Sequence, residues 1–475
     1  MRSITDERLE AVKSHYNQKE TTLLWPARHY RFFLAHYYRL IIPIDASILE
    51  VGCGSGELLA QLLHRDVTGV DLSQKQIAAA QKKMPYGTFY VQAGEHLNIS
   101  RKFDYIILSD TINQAADVQM LFSALKQHAH SYTRLVLNCY SSLWRPILTL
   151  ANFLGLRVKG PLSNWLAAND VKNLLELANW QYIKMQPRIL IPIRCFGIDY
   201  LVNRFLAPLL PFFCLSVFCF ARPNPDKCGV DEQGGREYSV SVIIPARNEA
   251  GNIEDAVLRT PELGTETELV FVEGHSKDNT WDEIKRIQTK YANRKIKILQ
   301  QSGQGKGNAV REGFEAASGD MLMILDADLT MPPEELPKFY QVLASVRAEF
   351  ANGVRLVYPM HEEAMRFINM CGNKMFSILF TWLLNQSVKD TLCGTKVILK
   401  NDYDKIAANR SYFGDFDPFG DFDLLFGAGK LNLKIADIPI RYHKRTYGDT
   451  NIQRWSHGWL LIKMVWFAAR KLKFV

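Results

Sequence analysis

The run Met321-Leu322-Met323-Ile324-Leu325 ends in Asp326-Ala327-Asp328, and Pro332-Pro333 follow shortly after. A short apolar run bounded by turn signals reads as a strand buried on both faces, the kind found in a parallel sheet. Proline cannot donate to a ladder, so the strand stops before the pair. Parallel strands need crossovers, usually helical, so the fold class is α/β. Open α/β sheets bind ligands at the carboxyl ends of their strands. Asp326 and Asp328 therefore sit where one hard cation, Mg²⁺ or Mn²⁺, would be held together with substrate phosphates. A solvated acidic turn would give the same triplet, so the surrounding blocks must decide.

The chain has 475 residues, too many for one core, so two or three domains are expected. Hydrophobic residues at 47% and charged residues at 22% are ordinary for a globular protein. A net charge of +8 suits phosphorylated substrates or an anionic membrane surface, and by itself gives no case for nucleic acid. Eight cysteines without a CxxC pair read as reduced thiols rather than a disulfide framework or a zinc site. Residues Met1 to Arg8 lack the apolar core of a signal peptide. The stretch Phe205 to Phe220 is shorter than the roughly 20 residues of a membrane span. Pro208 and Pro211 also interrupt it, so it reads as a buried strand and its approach, with membrane contact as the lesser alternative. The expected location is cytoplasmic, with peripheral contact on the membrane face as a further option.

Residues Met1 to Ile44 have a helical pattern rich in aromatic and basic side chains, read as a cap over a domain or a lid over a substrate. Then Ser47-Ile48-Leu49-Glu50-Val51 runs into Gly52-Cys53-Gly54-Ser55-Gly56, a strand, a glycine turn and a helix. Glycines at these places let backbone approach a ligand closely. A dinucleotide fingerprint needs GxGxxG, and Glu57 breaks that spacing. A second strand, Val67 to Val70, ends in Asp71, a carboxylate able to take both hydroxyls of a ribose. Strands are also expected at Phe89 to Val91, Phe103 to Ser109, Leu135 to Asn138, Ile189 to Ile193 and Leu215 to Phe220, closing a seven-stranded sheet. Asp110, Asn113 and Gln114 follow the fourth strand and read either as acceptor-site or as solvated loop residues.

The form Glu50-Val51-Gly52-Cys53-Gly54-Ser55-Gly56 with Asp71 resembles the class I S-adenosylmethionine-dependent methyltransferases, over about residues 45 to 140. That resemblance implies a Rossmann-like sheet with S-adenosylmethionine as cofactor. Glu50, Gly52, Gly54 and Gly56 would line its methionine part, Asp71 its ribose, and Gly94 and Glu95 would lie near adenine. The family often carries an acid where this chain has Ala93.

Pro223 to Glu237 is polar and rich in proline and glycine, a linker composition. The expected division is a first domain over residues 1–222, a linker over 223–237 and a second domain over 238–475.

Beyond the linker, Tyr238 to Ile244 is a buried strand entering Pro245-Ala246-Arg247-Asn248-Glu249. Leu269 to Val272 ends in Glu273-Gly274-His275-Ser276-Lys277-Asp278. A third strand precedes Gly303-Gln304-Gly305-Lys306-Gly307. With Asp326-Ala327-Asp328, these blocks resemble the family 2 GT-A glycosyltransferases, closest to the dolichyl- or polyprenyl-phosphate sugar synthases, over about residues 239 to 455. The resemblance implies inverting transfer from a nucleotide sugar, a UDP- or GDP-sugar, to a glycan or polyprenyl-phosphate acceptor. Pro245, Arg247, Glu249, Glu273 and Asp278 would flank the base and ribose. Lys306, Asp326 and Arg445 would approach the phosphates, and Asp326 and Asp328 would hold the metal. Arg355 and Lys396 would face the acceptor, Lys396 closing the block Asp390 to Lys396. Asp421 or Asp423 is the candidate base, sharing one face if this segment is a strand and standing apart if it is a helix. Arg445, Gly448 and Thr450 stand in register with the family's R-x-x-G-x-S-K segment, where Asn451 replaces the lysine. Trp455 to Lys473 reads as an amphipathic helix that packs on its domain or rests on a membrane interface.

The combined expectation is a bifunctional enzyme of cell-surface glycan or glycolipid synthesis. The alternative is an active glycosyltransferase whose first domain is a non-catalytic module that binds the acceptor or a partner.

Overall fold

A computed structural model describes residues 4–18, 25–155, 162–224, 236–355, 357–358, 367–410, 421–445, 447 and 454–475. The chain divides into two compact units, Met1–Pro225 and Asp226–Lys473. Each is built on one seven-stranded mixed sheet.

The first sheet has strands β1 (Ile48–Val51), β2 (Val67–Asp71), β3 (Thr88–Val91), β4 (Phe103–Ser109), β5 (Ala129–Tyr140), β6 (Trp180–Arg188) and β7 (Ser216–Pro223). Their spatial order is β3-β2-β1-β4-β5-β7-β6. Strands β1 to β5 run parallel, and β7 runs antiparallel to both β5 and β6. The parallel centre is apolar on both faces: Leu49, Ile106, Ile107, Leu108 and Leu135 are wholly buried.

The sixth strand corrects the expectation at Ile189 to Ile193. It lies earlier, at Trp180–Arg188, and Ile189 ends it with φ at 64°. Lys184 and Pro187 obscure this strand in the sequence. Yet β6 is the sheet's edge, where a proline needs no outward partner. Trp180 anchors it, with Nε1 donating to the Phe122 carbonyl at 2.8 Å.

Two helices precede β1: α1 (Ile4–Gln18) and α2 (Trp25–Ile41). Phe33, Leu34, Ala35, Tyr37 and Tyr38 of α2 are buried. Helix α1 is tied down by Arg8 Nη1 donating to the Ala116 carbonyl at 3.4 Å and by Ser73 Oγ donating to Asn17 Oδ1 at 2.7 Å.

The second sheet has β8 (Val240–Ala246), β9 (Thr267–Glu273), β10 (Lys295–Gln300), β11 (Met321–Ile324), β12 (Phe350–Val354), β13 (Lys396–Leu399) and β14 (Ile435–Pro439). The order is β10-β9-β8-β11-β13-β12-β14. Strands β8 to β11 are parallel, and β13 runs antiparallel to β11 and β12. All four residues of β11 are completely buried, as a central parallel strand requires.

The C-terminal helix Arg454–Leu472 buries Leu461, Met464, Val465, Ala468 and Ala469 and packs against the helix Phe367–Leu384. Trp459, Ile462 and Trp466 stay exposed on its other face. No helix among the described residues is long and apolar enough to cross a membrane.

Candidate functional site

In each sheet one pair of neighbouring parallel strands sends its connections to opposite sides. In the first this pair is β1 and β4; in the second it is β8 and β11. The crevice outside such a switch point is where open α/β sheets bind ligands.

At the first switch point, Gly52, Gly54 and Gly56 have φ of 77°, 54° and 71°, a region that favours glycine. A Cβ added to Gly54 would meet nothing within 4 Å, so this loop borders open space. Glu50 is 1% exposed, and its Oε2 has no hydrogen-bond partner. Burial pushes its carboxyl up to about 8, against the pull of Arg31 and with a push from Asp71. Asp71 Oδ2 accepts from Gly54 N and Oδ1 from Ser73 N, each at 2.9 Å. A cavity of about 430 Å³ opens between α1 and the ends of β2 and β3. Asp6, Leu9, Glu10, Leu72, Val91 and Ala93 are among its walls. Gly94 packs close to Val51 and Leu121, and Glu95 is buried, its Oε1 accepting from Ala116 N at 2.9 Å. The carboxylate of Glu95 therefore supports the neighbouring turn.

Beside them stands a network that the sequence did not reveal. Asp110, just past β4, is buried. It accepts from Tyr30 Oη at 3.0 Å, Asn138 Nδ2 at 2.6 Å and Tyr140 Oη at 3.3 Å. Arg31 Nη1 donates to Ser109 Oγ at 2.8 Å, and Nη2 lies 3.9 Å from Asp110 Oδ2. The only forewarning was the aromatic and basic run of α2. Asp110 is thus no solvated loop residue, and α2 forms one wall of the crevice. Asn113 also turns inward, its Nδ2 donating to the Asn164 carbonyl at 2.9 Å.

At the second switch point, the loop after β8 brings Glu249 and the loop after β11 brings Asp326 and Asp328. Lys306 Nζ lies 2.6 Å from Asp326 Oδ1. Arg445 bridges two acids, with Nη2 2.7 Å from Asp328 Oδ2 and Nη1 3.0 Å from Glu249 Oε1. Burial pushes the Glu249 carboxyl up to about 7, opposed by Arg445 and by the amide of Asn252 at 2.7 Å. A Cβ on Gly394 would run into Asp326 Oδ2 and Lys306 Nζ, so a larger residue here would have to push the pair aside. Asp278 accepts from Thr280 N at 3.1 Å and from Tyr447 Oη at 3.4 Å. Glu273 is buried and accepts from Ser276 N at 2.5 Å. Arg247 is exposed on the same loop as Glu249, and Pro245 is half-buried at the end of β8.

Residues 48–131 match the family model described as Methyltransferase domain, and residues 241–406 match Glycosyl transferase family 2. The chain joins a methyltransferase domain to a family 2 glycosyltransferase domain. It is 28% identical to the dolichol-phosphate mannosyltransferase of Pyrococcus furiosus, covering 45% of this chain and 59% of that one. With the dolichol-phosphate mannosyltransferase of Saccharomyces cerevisiae the identity is 38%, covering 22% and 41%. With the undecaprenyl-phosphate 4-deoxy-4-formamido-L-arabinose transferase of Pseudomonas aeruginosa it is 33%, covering 23% and 36%. The chain thus spans between 36% and 59% of the length of these relatives. Among solved structures, the magnesium protoporphyrin IX methyltransferase of Synechocystis is 17% identical with a TM-score of 0.31, covering 45% of this chain and 98% of that one. A methyltransferase from Clostridium acetobutylicum is 15% identical with a TM-score of 0.30, covering 43% and 93%.

Within the glycosyltransferase domain, two expected positions are corrected and one open alternative is decided. Lys396 is 0% exposed and its ammonium donates to the Cys393 carbonyl, so it braces the turn before β13 and cannot reach an acceptor. Arg355 is bound to the completely buried Asp390, Nε to Oδ2 at 2.7 Å and Nη2 to Oδ1 at 2.9 Å. That fork is no longer open to an acceptor phosphate. Asp421 and Asp423 begin a helix, Asp421–Lys430, so the strand alternative falls and the two are about 200° apart around its axis. Asp423 accepts from Arg410 Nε at 2.9 Å. The side chain of Asp421, with Gly448, Thr450 and Asn451, lies outside the described residues.

Proposed function

We propose that the second unit transfers a sugar, with inversion and metal dependence, from a UDP- or GDP-sugar to a polyprenyl phosphate or a glycan, and that the first methylates a product or precursor of the same surface glycan or glycolipid. The observation that carries this reading is the cluster Lys306–Asp326 and Glu249–Arg445–Asp328 at the β8/β11 switch point.

The donor set there suits Mg²⁺ or Mn²⁺. Asp326 and Asp328 offer hard carboxylate oxygens and are partly exposed. No group of three His, Cys, Asp or Glu side chains able to hold a metal occurs among the described residues. Two carboxylates completed by a diphosphate are a common Mg²⁺ arrangement. A bound cation would supply charge neutralisation on the leaving nucleoside diphosphate. Lys306 and Arg445 would turn from their carboxylates towards the phosphate oxygens, Arg445 presenting its planar fork. Glu249 would keep Arg445 aimed by retaining one of its nitrogens. With Asp423 engaged by Arg410, an acceptor that is already ionised fits best, because a phosphate needs no strong base to attack.

The first unit fits S-adenosylmethionine. When bound, that cofactor supplies an electrophilic methyl group. Glu50 offers a buried oxygen without a partner, suited to an α-ammonium. The space beside Gly54 admits the amino-acid chain, and Asp71 can exchange amide hydrogens for ribose hydroxyls. Adenine would enter the cavity under α1, its amine facing Asp6 and Glu10 in place of the acid absent at Ala93. Ala93 also favours the second reading, a non-catalytic first domain that binds the acceptor or a partner.

A panel of nucleotide sugars assayed with and without polyprenyl phosphate tests the first claim. Turnover of one sugar that depends on the lipid phosphate and on Mg²⁺ or Mn²⁺ is expected. Turnover untouched by chelation would sink the metal-dependent reading. Calorimetry with S-adenosylhomocysteine tests the second claim, and no binding would select the non-catalytic module.

A further inference from the structure

We infer that the first unit carries its own membrane-docking face, formed by residues 143–154 and 193–213 and fitted to an anionic lipid surface. This goes beyond the two transfer reactions and rests on neither site.

Nearly half of the exposed large hydrophobic side chains among the described residues fall in these two short segments. Phe196 is fully exposed, Phe153 is 86% exposed, Phe212 67% and Phe213 58%. The helix Arg145–Phe153 has no buried residue at all, nor has the turn Pro211–Phe213. Trp144 Nε1 donates to the Phe213 carbonyl at 2.8 Å and Ser141 N to the Leu215 carbonyl at 2.7 Å, so the two segments form one surface. Contiguous apolar surface of this kind marks an interaction site.

The exposure is built in. Polar side chains hold the backbone from beneath: Asp199 is 3% exposed, lies 2.7 Å from His29 Nε2 and accepts from Cys195 N at 2.9 Å. Asn203 is 1% exposed and bonds Leu190 N, Ile191 N and the Ile191 carbonyl within 2.9 Å. A segment that buries Asp199 and Asn203 while leaving most of its phenylalanine and leucine side chains outside is inverted with respect to water and suited to lipid.

Charge selects the occupant. Arg145 and Arg194 are exposed and Arg204 half-buried, while the one acid of the two segments, Asp199, is sealed below. Phenylalanine and leucine among arginines of one sign match the interface of an anionic bilayer, where the rings enter the acyl boundary and the guanidiniums meet headgroups. The helix Arg145–Phe153, at 9 residues, is far too short to span and would lie in the plane. A polyprenyl-phosphate acceptor would reside in that same surface.

Co-sedimentation of the full chain with vesicles decides. With phosphatidylglycerol–phosphatidylcholine vesicles the chain is expected to pellet, and with pure phosphatidylcholine much less. The triple change Phe196→Ser, Phe212→Ser, Phe213→Ser should weaken partitioning by roughly tenfold or more, because each ring withdraws apolar area from the lipid. These side chains are exposed, so the melting temperature should not fall, which guards against misfolding. Arg145→Gln with Arg194→Gln should erase the preference for anionic lipid. The inference is overturned if the wild-type chain stays in solution. It is equally overturned if the triple variant pellets like wild type, which would move docking to the C-terminal helix. A loss of self-association in the triple variant without loss of lipid binding would make a second copy the occupant.

Discussion

The two switch points share an architecture and differ in how they satisfy their acids. At β1/β4 the acids rely on burial and backbone: Asp71 takes two amides, and Glu50 keeps one oxygen unpaired. At β8/β11 acids meet cations: Asp326 meets Lys306, and Arg445 joins Asp328 to Glu249. The difference teaches what each crevice can exchange. Backbone amides can give way to ribose hydroxyls, and a buried oxygen without a partner invites an ammonium. Carboxylates can release their cations to a diphosphate while turning their own oxygens to a metal. On the function proposed above, one crevice would take a nucleoside with an amino-acid tail and the other a nucleoside diphosphate.

The largest effect should break the second crevice and leave the first untouched. Asp326→Asn or Asp328→Asn should lower sugar transfer by roughly a thousandfold, the scale of losing several kcal/mol of charge stabilisation. Binding of S-adenosylhomocysteine, followed by calorimetry on the same variants, should not change. Retained transfer would show that the acids only balance Lys306 and Arg445.

Next comes Arg445. Arg445→Ala should cut kcat/KM for the nucleotide sugar by roughly a hundredfold. Arg445→Lys should recover little, because an ammonium cannot hold Glu249 and a phosphate in one plane. A fully active Arg445→Lys would reduce the residue to a point charge and blur the contrast between the crevices.

What the chain order showed in advance follows the locality of each signal. Strand, turn and helix lie within about a dozen residues around Gly52, Asp71, Glu249 and Asp326, so those blocks were legible. The sheets' α/β class follows from the same blocks. Strand β6 was hidden because Pro187 looks like a breaker until the strand is known to be an edge. Arg355 and Lys396 were misjudged because their partners, Asp390 and the Cys393 carbonyl, are fixed by the β12/β13 register. A cation near an expected acceptor cannot be told from one neutralised in the core without that register. The apolar face escaped for the opposite reason. Phe205 to Phe220 reads first as a buried strand and its approach, with membrane contact as the lesser alternative. Phe218 and Phe220 are indeed buried in β7, while Phe205, Phe212 and Phe213 face outward over the buried Asp199 and Asn203.

A smaller effect sharpens the first crevice. Asp71→Ala should weaken S-adenosylhomocysteine binding by roughly tenfold to a hundredfold, as expected for hydrogen bonds to a charged acceptor. Sugar transfer, measured in parallel, should be unchanged. Equal binding would mean that Asp71 serves only the Gly54 and Ser73 amides, and the non-catalytic reading of the first unit would gain.

The finest test uses pH. The buried Glu50 carboxyl titrates near 8, so at pH 7 most of it carries a proton. An α-ammonium beside its free oxygen favours the ionised form, so binding must expel that proton. Affinity for S-adenosylhomocysteine should therefore rise with pH and flatten above about 8. Glu50→Gln should bind more weakly and show no such slope. Folding runs the other way. Between an unfolded value near 4.5 and the folded value near 8, the folded state holds the extra proton. Glu50 thus lowers stability as pH rises through that window, by up to about 1.4 kcal/mol per unit. Glu50→Gln should remove the decline in a series of melting curves. A wild-type affinity indifferent to pH, with the stability slope intact, would place Glu50 away from the ammonium and leave it a buried acid of the fold.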